Sequence, residues 1–255
     1  MTERLDRELV RRGLARSRTH AQAMINAGEV MVDGSVAERP GEQVAPSAAI
    51  HAPDDRFVSR GAHKLIGALD DLQLSVAGRA LDAGASTGGF TQVLLARGCR
   101  EVIAVDVGSN QLAPVLRADP RVRLQERVNL RDLRLEHVGG VPVDLVVADV
   151  SFISLRLLVG PLVSVTRDDG WVLLLVKPQF EVGRELLGKG GVVRTPEHQL
   201  QAISSVIDAA GEHGWRGVAA VASRLLGASG NREVFVLLRR TESAPDLDLA
   251  ALIQT

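Results

Sequence analysis

The chain has 255 residues, of which 45% are hydrophobic and 24% are charged, and its formal net charge is −1 at pH 7. These values are typical of a soluble globular protein with one large domain or two unequal ones, and they exclude a disordered or fibrous chain. The near-zero charge argues against a uniformly basic nucleic-acid binder, but it leaves room for a basic face on part of the molecule.

The sequence gives no sign of export or of membrane insertion. No apolar run approaches the ~18 residues that a membrane span needs. The N-terminal segment MTERLDRELVRR is charged where a signal peptide has an apolar core. The single cysteine, Cys99, cannot form an internal disulfide and fits a reducing compartment. We therefore expect a cytoplasmic protein without a membrane partner.

The first fifty residues predict two helices and a small sheet. Arginines recur at helical spacing from Arg4 to Arg18, with apolar residues on another face. Ser17 is placed to cap a second helix, which Gly28 ends, and residues 30–36 predict two short strands around an Asp-Gly turn. Six arginines lie between positions 4 and 18 against two acidic residues, and from charge alone a solvated helix explains them.

The segment RLDRELVRRGLARSRTHAQAMINAGEVMVDGSVAERPGEQV closely resembles the αL-type, or S-four-type, RNA-binding domain. The resemblance covers about forty residues and predicts an RNA-binding domain over 1–50. It implies that Arg4, Arg16, Arg18 and His20 face structured RNA and contact phosphates and shape more than base edges.

A linker over 51–60 ends the stretch 46–60, which has two prolines and mixed charge, and leads to a second domain over 61–242 and a C-terminal tail over 243–255. In the second domain, short β-branched or apolar runs alternate with helical stretches, which predicts a doubly wound, mostly parallel sheet. The last two runs are too close in sequence for a crossover helix and are expected to pair antiparallel. The fold class is therefore α/β, in the class I (Rossmann-like) methyltransferase variant, preceded by a small α+β domain. The seven predicted strands are 79–84, 101–108, 122–127, 145–150, 171–178, 215–223 and 232–240.

The first strand-to-helix turn, LDAGASTGGF, predicts a nucleoside cofactor. Its glycines let the backbone approach a ligand closely, and an aspartate ends the second strand where it can accept hydrogen bonds from ribose. NAD carries ribose too, but the turn lacks the G-x-G-x-x-G register that a pyrophosphate prefers. S-adenosylmethionine is favoured over NAD, with a purely structural glycine turn as the third interpretation. The predicted cofactor-binding residues are Asp82, Gly84, Ser86, Thr87, Gly88, Gly89, Phe90 and Asp106.

Four ionisable residues are expected to converge beside this turn. Lys64 precedes the first strand, Asp149 and Lys177 end the fourth and fifth strands, and Glu233 begins the antiparallel last strand at the same sheet edge. The chain has 27 Arg and only 3 Lys, and two of the three lysines fall in this quartet. Arginine stays protonated, whereas a lysine can be tuned to act as a base, so the quartet is the predicted catalytic set.

The quartet and its flanks SRGAHKL, LDAGASTGGFT, VVADVSFIS and LLVKPQFE resemble the ribose 2′-O-methyltransferases of the FtsJ type. Together with the N-terminal module they resemble the TlyA/hemolysin-A family of ribosomal RNA 2′-O-methyltransferases over nearly the whole chain. The resemblance implies S-adenosylmethionine as methyl donor, a ribose target in cytidine, ribosomal RNA or ribosomal subunits as partner, and no DNA partner. One departure is Phe57, which stands in the linker where actinobacterial relatives carry a Trp.

The hypothesis for the chemistry is proton removal by Lys177, whose amine is kept neutral by desolvation and by neighbouring Lys64. Asp149 and Glu233 orient the lysines. Other methylation chemistries lack their residues: no Asn- or Asp-Pro-Pro-aromatic string follows the fourth strand, and Cys99 lies on the wrong sheet edge to be a nucleophile. No His/Cys cluster predicts a metal site.

Two further features have open interpretations. The Gly-rich loop RELLGKGGVVRTP is either a flexible surface loop or a mobile lid whose Arg184, Lys189 and Arg194 touch RNA phosphates. Phe152 and Phe180 are candidates to hold a flipped-out nucleotide, although core packing is the commoner role of such residues.

The alternatives of another class are a non-catalytic RNA-binding assembly factor and a membrane-active haemolysin-like protein. The intact quartet argues against the first, and the lack of an amphipathic cationic stretch argues against the second. The sequence leaves the oligomeric state open, with a monomer as the working expectation.

Overall fold

The computed structural model describes residues 2–15, 17–52, 57–227 and 229–254. The chain forms two compact units, Met1–Phe57 and Val58–Thr255. Each unit has a hydrophobic core of its own.

The first unit contains the two helices and the hairpin that the sequence predicts. Ser17 caps the second helix, where its Oγ accepts a hydrogen bond from the backbone N–H of His20. Leu5 and Leu9 of the first helix are fully buried in a core that includes Ile25 of the second. Further short strands extend the sheets beyond the prediction. The elements are β1 Glu3–Arg4, α1 Leu5–Arg11, α2 Arg18–Asn26, β2 Met31–Val32, β3 Ser35–Val36, β4 Gln43–Val44 and β5 Ile50–His51.

The second unit is built on a seven-stranded sheet in the order β11-β12-β10-β9-β6-β7-β8. Strand β12 runs antiparallel to both of its neighbours, and the pairs among β10, β9, β6, β7 and β8 are parallel. This confirms the predicted α/β class and the antiparallel last strand. The strands are β6 Gly78–Ala83, β7 Cys99–Asp106, β8 Val122–Glu126, β9 Val143–Ala148, β10 Thr166–Val176, β11 Trp215–Ala222 and β12 Val234–Arg240.

Three helices of the second unit, α7, α8 and α9, lie where no helix was predicted. The long helix α8 was not predicted, although Pro196 at its first turn and the buried series Ala202, Ile203, Val206 and Ala210 are a helical signal. The segment expected to be a tail ends in a helix that packs on the core of the unit. The helices are α3 Gly61–Asp71, α4 Gly89–Ala96, α5 Pro114–Arg117, α6 Val159–Ser164, α7 Pro178–Glu181, α8 Pro196–Gly211 and α9 Leu249–Gln254.

The strand register brings the ends of the central strands to one edge of the sheet. Leu174 of β10 lies opposite Ala148 at the end of β9, and Val176 at the end of β10 lies opposite Val234 at the start of β12. The residues that follow or precede these strand ends therefore meet at the carboxyl edge, where parallel α/β sheets bind their ligands. Within the described ranges, no helix is long and apolar enough to cross a membrane.

Candidate active site

Lys177 and Asp149 form an ion pair at the carboxyl edge of the sheet. Lys177 follows β10 and Asp149 follows β9, so the pairing of the two strands sets the distance between the side chains. Lys177 Nζ lies 2.5 Å from Asp149 Oδ1 and donates a hydrogen bond to Ser151 Oγ at 3.0 Å. The lysine is nearly buried, with 11% of its side chain exposed, so the amine has a fixed position.

Lys64 and Glu233 form the second pair. Lys64 lies in the first turn of α3, and Glu233 directly precedes β12. Lys64 Nζ donates a hydrogen bond to Glu233 Oε2 at 2.6 Å, and the Glu233 side chain is 3% exposed. The structure thus brings together all four members of the predicted quartet. The contacts it shows are from lysine to carboxylate.

A cleft of about 270 Å³ opens over the quartet. Lys64, Lys177 and Asp149 line it, and Glu233 supports Lys64 from behind. The glycine-rich turn between β6 and α4 also lines this cleft. The first cleft therefore places two lysines and a carboxylate beside backbone that a ligand can approach closely.

A second cleft of about 560 Å³ adjoins the first. Its polar side includes Asp106, Gln111 and Asn129, and its apolar walls include Leu130 and Ile153. The two clefts share four lining residues, which mark their junction. These are Gly84, Ser86, Asp149 and Ser151.

Asp106 holds the glycine-rich turn in place from the end of β7. Its carboxylate accepts hydrogen bonds from the backbone N–H groups of Ser86 at 2.8 Å and Gly108 at 2.7 Å. Gly84 and Ser86 have φ values of +86° and +47°, a conformation that costs L side chains energy. The turn is thereby bent so that its backbone faces both clefts.

Two of the predicted cofactor-binding residues lie behind the turn instead of on its ligand side. Asp82 is completely buried, accepts a hydrogen bond from Thr91 Oγ1 at 2.6 Å and lines neither cleft. Burial raises the pKa of its carboxyl to about 7. At Gly88, φ is +98° and a Cβ would overlap Leu112 and Leu116. These two residues support the shape of the turn.

The other predicted residues of the turn face the clefts. Thr87, Gly89 and Phe90 line the first cleft. Phe90 is nevertheless buried, with its ring centroid 6.2 Å from that of Phe235, so most of its surface is spent on core packing.

Several small polar residues of the site were not predicted from the sequence. Ser151 contacts the lysine amine, Ser59 lines the first cleft, and Gln111 and Asn129 line the second. The position of Ser151 two residues after Asp149 could have drawn attention to it. The others lie on segments whose approach to the site depends on how the chain folds back.

Phe152 stands at the rim of the second cleft. Its side chain is 91% exposed, its φ is +66°, and its ring centroid lies 5.2 Å from that of Phe180. Exposure of a large ring and a left-handed backbone are both costly in a residue without a task. Phe180 is half-buried and supports the exposed ring.

In the first unit, two of the candidate RNA-binding arginines share one acid. The buried carboxylate of Asp6 accepts hydrogen bonds from Arg4 at 3.0 and 3.1 Å and from Arg18 at 3.2 Å. His20, in the first turn of α2, is half-buried. Arg16 lies outside the described residues.

The loop after α7 carries the remaining two candidates. Lys189 is exposed, and the backbone at Arg184 begins a single 3-10 turn; the structure describes no side chain there. The second half of the loop is held by the buried Asn231, which accepts from Val193 N at 2.9 Å and donates to Gly191 O at 3.0 Å.

Cys99 is unsuited to nucleophilic catalysis. It is buried at the start of β7, on the opposite sheet edge, and burial raises the pKa of its thiol to about 12. The described part of the chain contains no group of three His, Cys, Asp or Glu that could hold a metal ion.

Comparison with known proteins agrees with this geometry. Residues 57–240 match the model of the FtsJ-like methyltransferase family, and residues 3–50 match that of the S4 domain. The chain is 52% identical over 240 residues to the 16S/23S rRNA (cytidine-2′-O)-methyltransferase TlyA of Mycobacterium tuberculosis, which covers 92% of this chain and 89% of the relative. This chain belongs to the TlyA family of FtsJ-like methyltransferases.

Solved structures place this TlyA-family chain among methyltransferase folds. A Streptococcus thermophilus structure described as a hemolysin has a TM-score of 0.77 and 36% identity, covering 99% of this chain and 94% of that one. A Listeria monocytogenes structure described as an S-adenosylmethionine dependent methyltransferase has a TM-score of 0.55 at 12% identity, covering 72% and 100%. The second likeness is one of fold alone. The first shows that the name hemolysin is carried by a chain with the TlyA-family fold.

Proposed function

We propose that the protein transfers the methyl group of S-adenosylmethionine to the ribose 2′-hydroxyl of a cytidine in ribosomal RNA of one or both subunits. The observation that carries the proposal is the pair of lysine–carboxylate contacts in the first cleft, directly beside the glycine-rich turn. The 52% identity to a 16S/23S rRNA (cytidine-2′-O)-methyltransferase supports the ribose 2′-hydroxyl as the target group and cytidine as the target nucleoside.

The second cleft fits S-adenosylmethionine better than a dinucleotide. Among the described residues that line it, Asp106 and Asp149 are acidic and none is Lys or Arg, which suits a cationic ligand and not a diphosphate. Asp106 would hold the ribose hydroxyls, and the apolar walls near Leu130 and Ile153 would hold the adenine. S-adenosylmethionine supplies an electrophilic methyl group on a sulfonium.

Lys177 is the proposed base for the 2′-hydroxyl of the target. Asp149 and Ser151 hold its Nζ in a fixed position, which the in-line attack of oxygen on the methyl carbon requires. The Nζ amine of Lys177 accepts the proton of the hydroxyl as the oxygen–carbon bond forms and the bond from the methyl carbon to the donor sulfur breaks, so that the sulfur leaves as a neutral thioether.

Lys64 and Glu233 have a positioning and charge-balancing role in this proposal. Because Glu233 is buried and engaged by Lys64, the lysine is held on the wall of the cleft next to the reacting groups. The sequence-based hypothesis gave Lys64 the task of keeping Lys177 neutral. The ion pair with Glu233 favours the alternative that Lys64 orients the ribose.

RNA binding is proposed for residues of both units. Arg4, Arg16, Arg18 and His20 would contact phosphates through the S4 domain. Phe152 and Phe180 would hold a flipped-out nucleotide at the rim of the second cleft. Arg184 and Lys189 would contact RNA phosphates from the Gly-rich loop.

The proposal is tested with two matched substitutions of lysine by arginine. Lys177→Arg keeps the charge but removes the base, and we expect methyl transfer from labelled S-adenosylmethionine to ribosomal subunits to fall by about 10²–10⁴-fold. Lys189→Arg can still contact a phosphate and should stay within about threefold of the native rate. A native rate for Lys177→Arg contradicts the assignment of the base.

The position of the methyl group is mapped by reverse-transcription stops at low deoxynucleotide concentration. The proposal is supported if reverse transcription stops at a cytidine in RNA treated with the enzyme and does not stop there in untreated RNA. Binding to subunits without any transfer by the wild-type protein supports a non-catalytic assembly factor, and lysis of membranes without transfer supports the haemolysin alternative.

A further inference from the structure

The loop over residues 149–155 carries the exposed and the reactive parts of the site together. Asp149 and Ser151, at its start, contact Lys177. Phe152, in the middle, is exposed with its backbone in the left-handed region. A loop that presents a strained, exposed ring next to the reacting groups needs a second point of attachment at its far end.

Glu181 provides that attachment. It ends α7, one turn after Lys177, and is only 9% exposed. Its Oε2 accepts a hydrogen bond from Ser154 Oγ at 2.5 Å, and its Oε1 accepts one from the backbone N–H of Leu155 at 2.8 Å. Desolvation by burial raises the pKa of this carboxyl.

Helix α7 and the residue before it therefore hold the 149–155 loop at three successive points. Lys177 holds the start, the ring of Phe180 lies against Phe152, and Glu181 holds the end. Burying a carboxylate is costly unless its hydrogen bonds are made. Both carboxylate oxygens of Glu181 accept hydrogen bonds from the 149–155 loop, and these bonds offset the cost of burying the carboxylate.

We propose that Glu181 is a positioning residue for methyl transfer: it fixes the far end of the 149–155 loop so that Phe152 and Asp149 keep the geometry that the bound nucleotide needs. The proposal rests on the proposed function for what the loop positions. It adds a residue that does not line either cleft and that acts through the loop.

The test compares two substitutions of Glu181 with a control on the same segment. Glu181→Ala removes both acceptors. Glu181→Gln keeps a carbonyl oxygen for Leu155 N–H and offers an amide that can donate to Ser154 Oγ. Glu185→Ala removes an exposed carboxylate four residues on and controls for the loss of charge.

Three quantities are measured for each variant: the rate of transfer to ribosomal subunits, the Kd for S-adenosylmethionine, and hydrogen exchange at the Leu155 amide. For Glu181→Ala we expect the rate to fall by about 10–100-fold, because displacement of a positioning group by about 1 Å has that cost. The Kd should stay within about twofold, and exchange at Leu155 should rise at least tenfold. Glu181→Gln and Glu185→Ala should retain the native rate within about threefold.

Either of two outcomes overturns the proposal. One is a native rate for Glu181→Ala together with faster exchange at Leu155, because the attachment would then be irrelevant to the reaction. The other is an equal loss of rate in Glu181→Ala and Glu181→Gln with unchanged exchange, because the charge would then be what matters. If the wild-type protein transfers no methyl group to ribose, the proposed function fails, and the exchange measurement still decides whether Glu181 holds the loop.

Discussion

At the scale of single residues, buried carboxylates organise the cations and hydrogen-bond donors of this protein. Asp6 gathers Arg4 and Arg18 in the first unit, and Glu233 fixes Lys64 in the second. Asp82 differs from them, because the contact it accepts comes from a neutral hydroxyl and leaves its other oxygen, Oδ1, buried without a hydrogen-bond partner among the described residues. The negative charge of Asp82 is therefore poorly compensated, and its ionisation lowers the free energy of unfolding.

We expect Asp82→Asn to stabilise the second unit at alkaline pH. The pKa of Asp82 is raised from 3.8 to about 7 in the folded state. Between these values the folded protein binds a proton that the unfolded chain releases, so the free energy of unfolding falls as pH rises from about 4 to about 7. This decrease in the free energy of unfolding is at most about 4 kcal/mol. It does not occur in Asp82→Asn, because the Asn side chain does not ionise.

The measurement is urea unfolding at pH 4.5 and pH 8, followed by tryptophan fluorescence. Both tryptophans, Trp171 and Trp215, lie in the second unit. The stability of Asp82→Asn relative to the wild type should increase by about 1–4 kcal/mol between the two pH values. Asp132→Asn, at an exposed position, should show no such change. A difference for Asp82→Asn that does not vary with pH contradicts the prediction.

At the scale of elements, the turn from β6 to α4 is shaped by what packs behind it as much as by its own glycines. Gly88 directly precedes α4 in a left-handed conformation and lies against Leu112 and Leu116 of the segment that includes α5. Gly140 also has a positive φ, +76°, but nothing lies within 4 Å of a Cβ built there. Both glycines need a left-handed backbone, but only Gly88 is closely packed against other side chains. A comparison of the two therefore distinguishes the cost of the backbone conformation from the cost of the steric overlap.

We predict that Gly88→Ala destabilises the second unit by at least about 1 kcal/mol more than Gly140→Ala. The second substitution bears only the cost of a left-handed backbone, about 1–2 kcal/mol, whereas the first must also displace two leucine side chains. Urea unfolding of both variants gives the difference. The Kd for S-adenosylmethionine should rise in Gly88→Ala alone, and equal effects of the two substitutions would show that the contacts with Leu112 and Leu116 are unimportant.

At the scale of the whole molecule, the proposed RNA-binding surface and the proposed reaction centre lie in different units of the chain. The core of the first unit is made of its own residues, Leu5 to Ala48, and the buried apolar residues of the second unit run from Ala62 to Ile253. The S4 domain matches the first unit and the methyltransferase model matches the second. Each unit can therefore be changed with the core of the other intact.

We expect the fragment 58–255 to bind S-adenosylmethionine within about twofold of the full chain and to lose ribosomal RNA affinity by at least tenfold. Neutralised phosphates release counterions, so the loss should appear as a smaller dependence of binding on salt, by about 0.7–0.9 in the logarithmic slope for each phosphate contact removed. Filter binding over a salt series measures it. The full chain with Arg4→Gln and Arg18→Gln is the control and should lose part of the slope; a fragment with the native affinity and slope would refute the assignment.

Much of the fold could be predicted from the sequence, because the patterns of apolar runs and loop lengths constrain which strands pair and in which direction. The alternation of apolar runs gave the parallel sheet, and the short loop before β12 gave its antiparallel end. The sequence did not suffice to predict α8 and α9. Apolar residues recur at helical spacing in both segments, but the loop residues around them hide this pattern. Asp82 was expected at the ligand because it directly precedes the glycine turn. Burial of a side chain depends on what covers it, and a local string does not contain that information.

The sequence by itself predicted that Asp149, Lys177 and Glu233 meet, because strand direction and order send them to one edge of the sheet. Lys64 was added to them by its flanking motif and by the scarcity of lysine in the chain. Only the tertiary structure decided the pairing of Lys177 with Asp149 and Ser151, the pairing of Lys64 with Glu233, and the attachment of the 149–155 loop to Glu181. The reason is one of length scale. Topology is set by patterns over tens of residues, whereas hydrogen bonds form only within about 3 Å, a distance fixed by the packing of elements far apart in the chain.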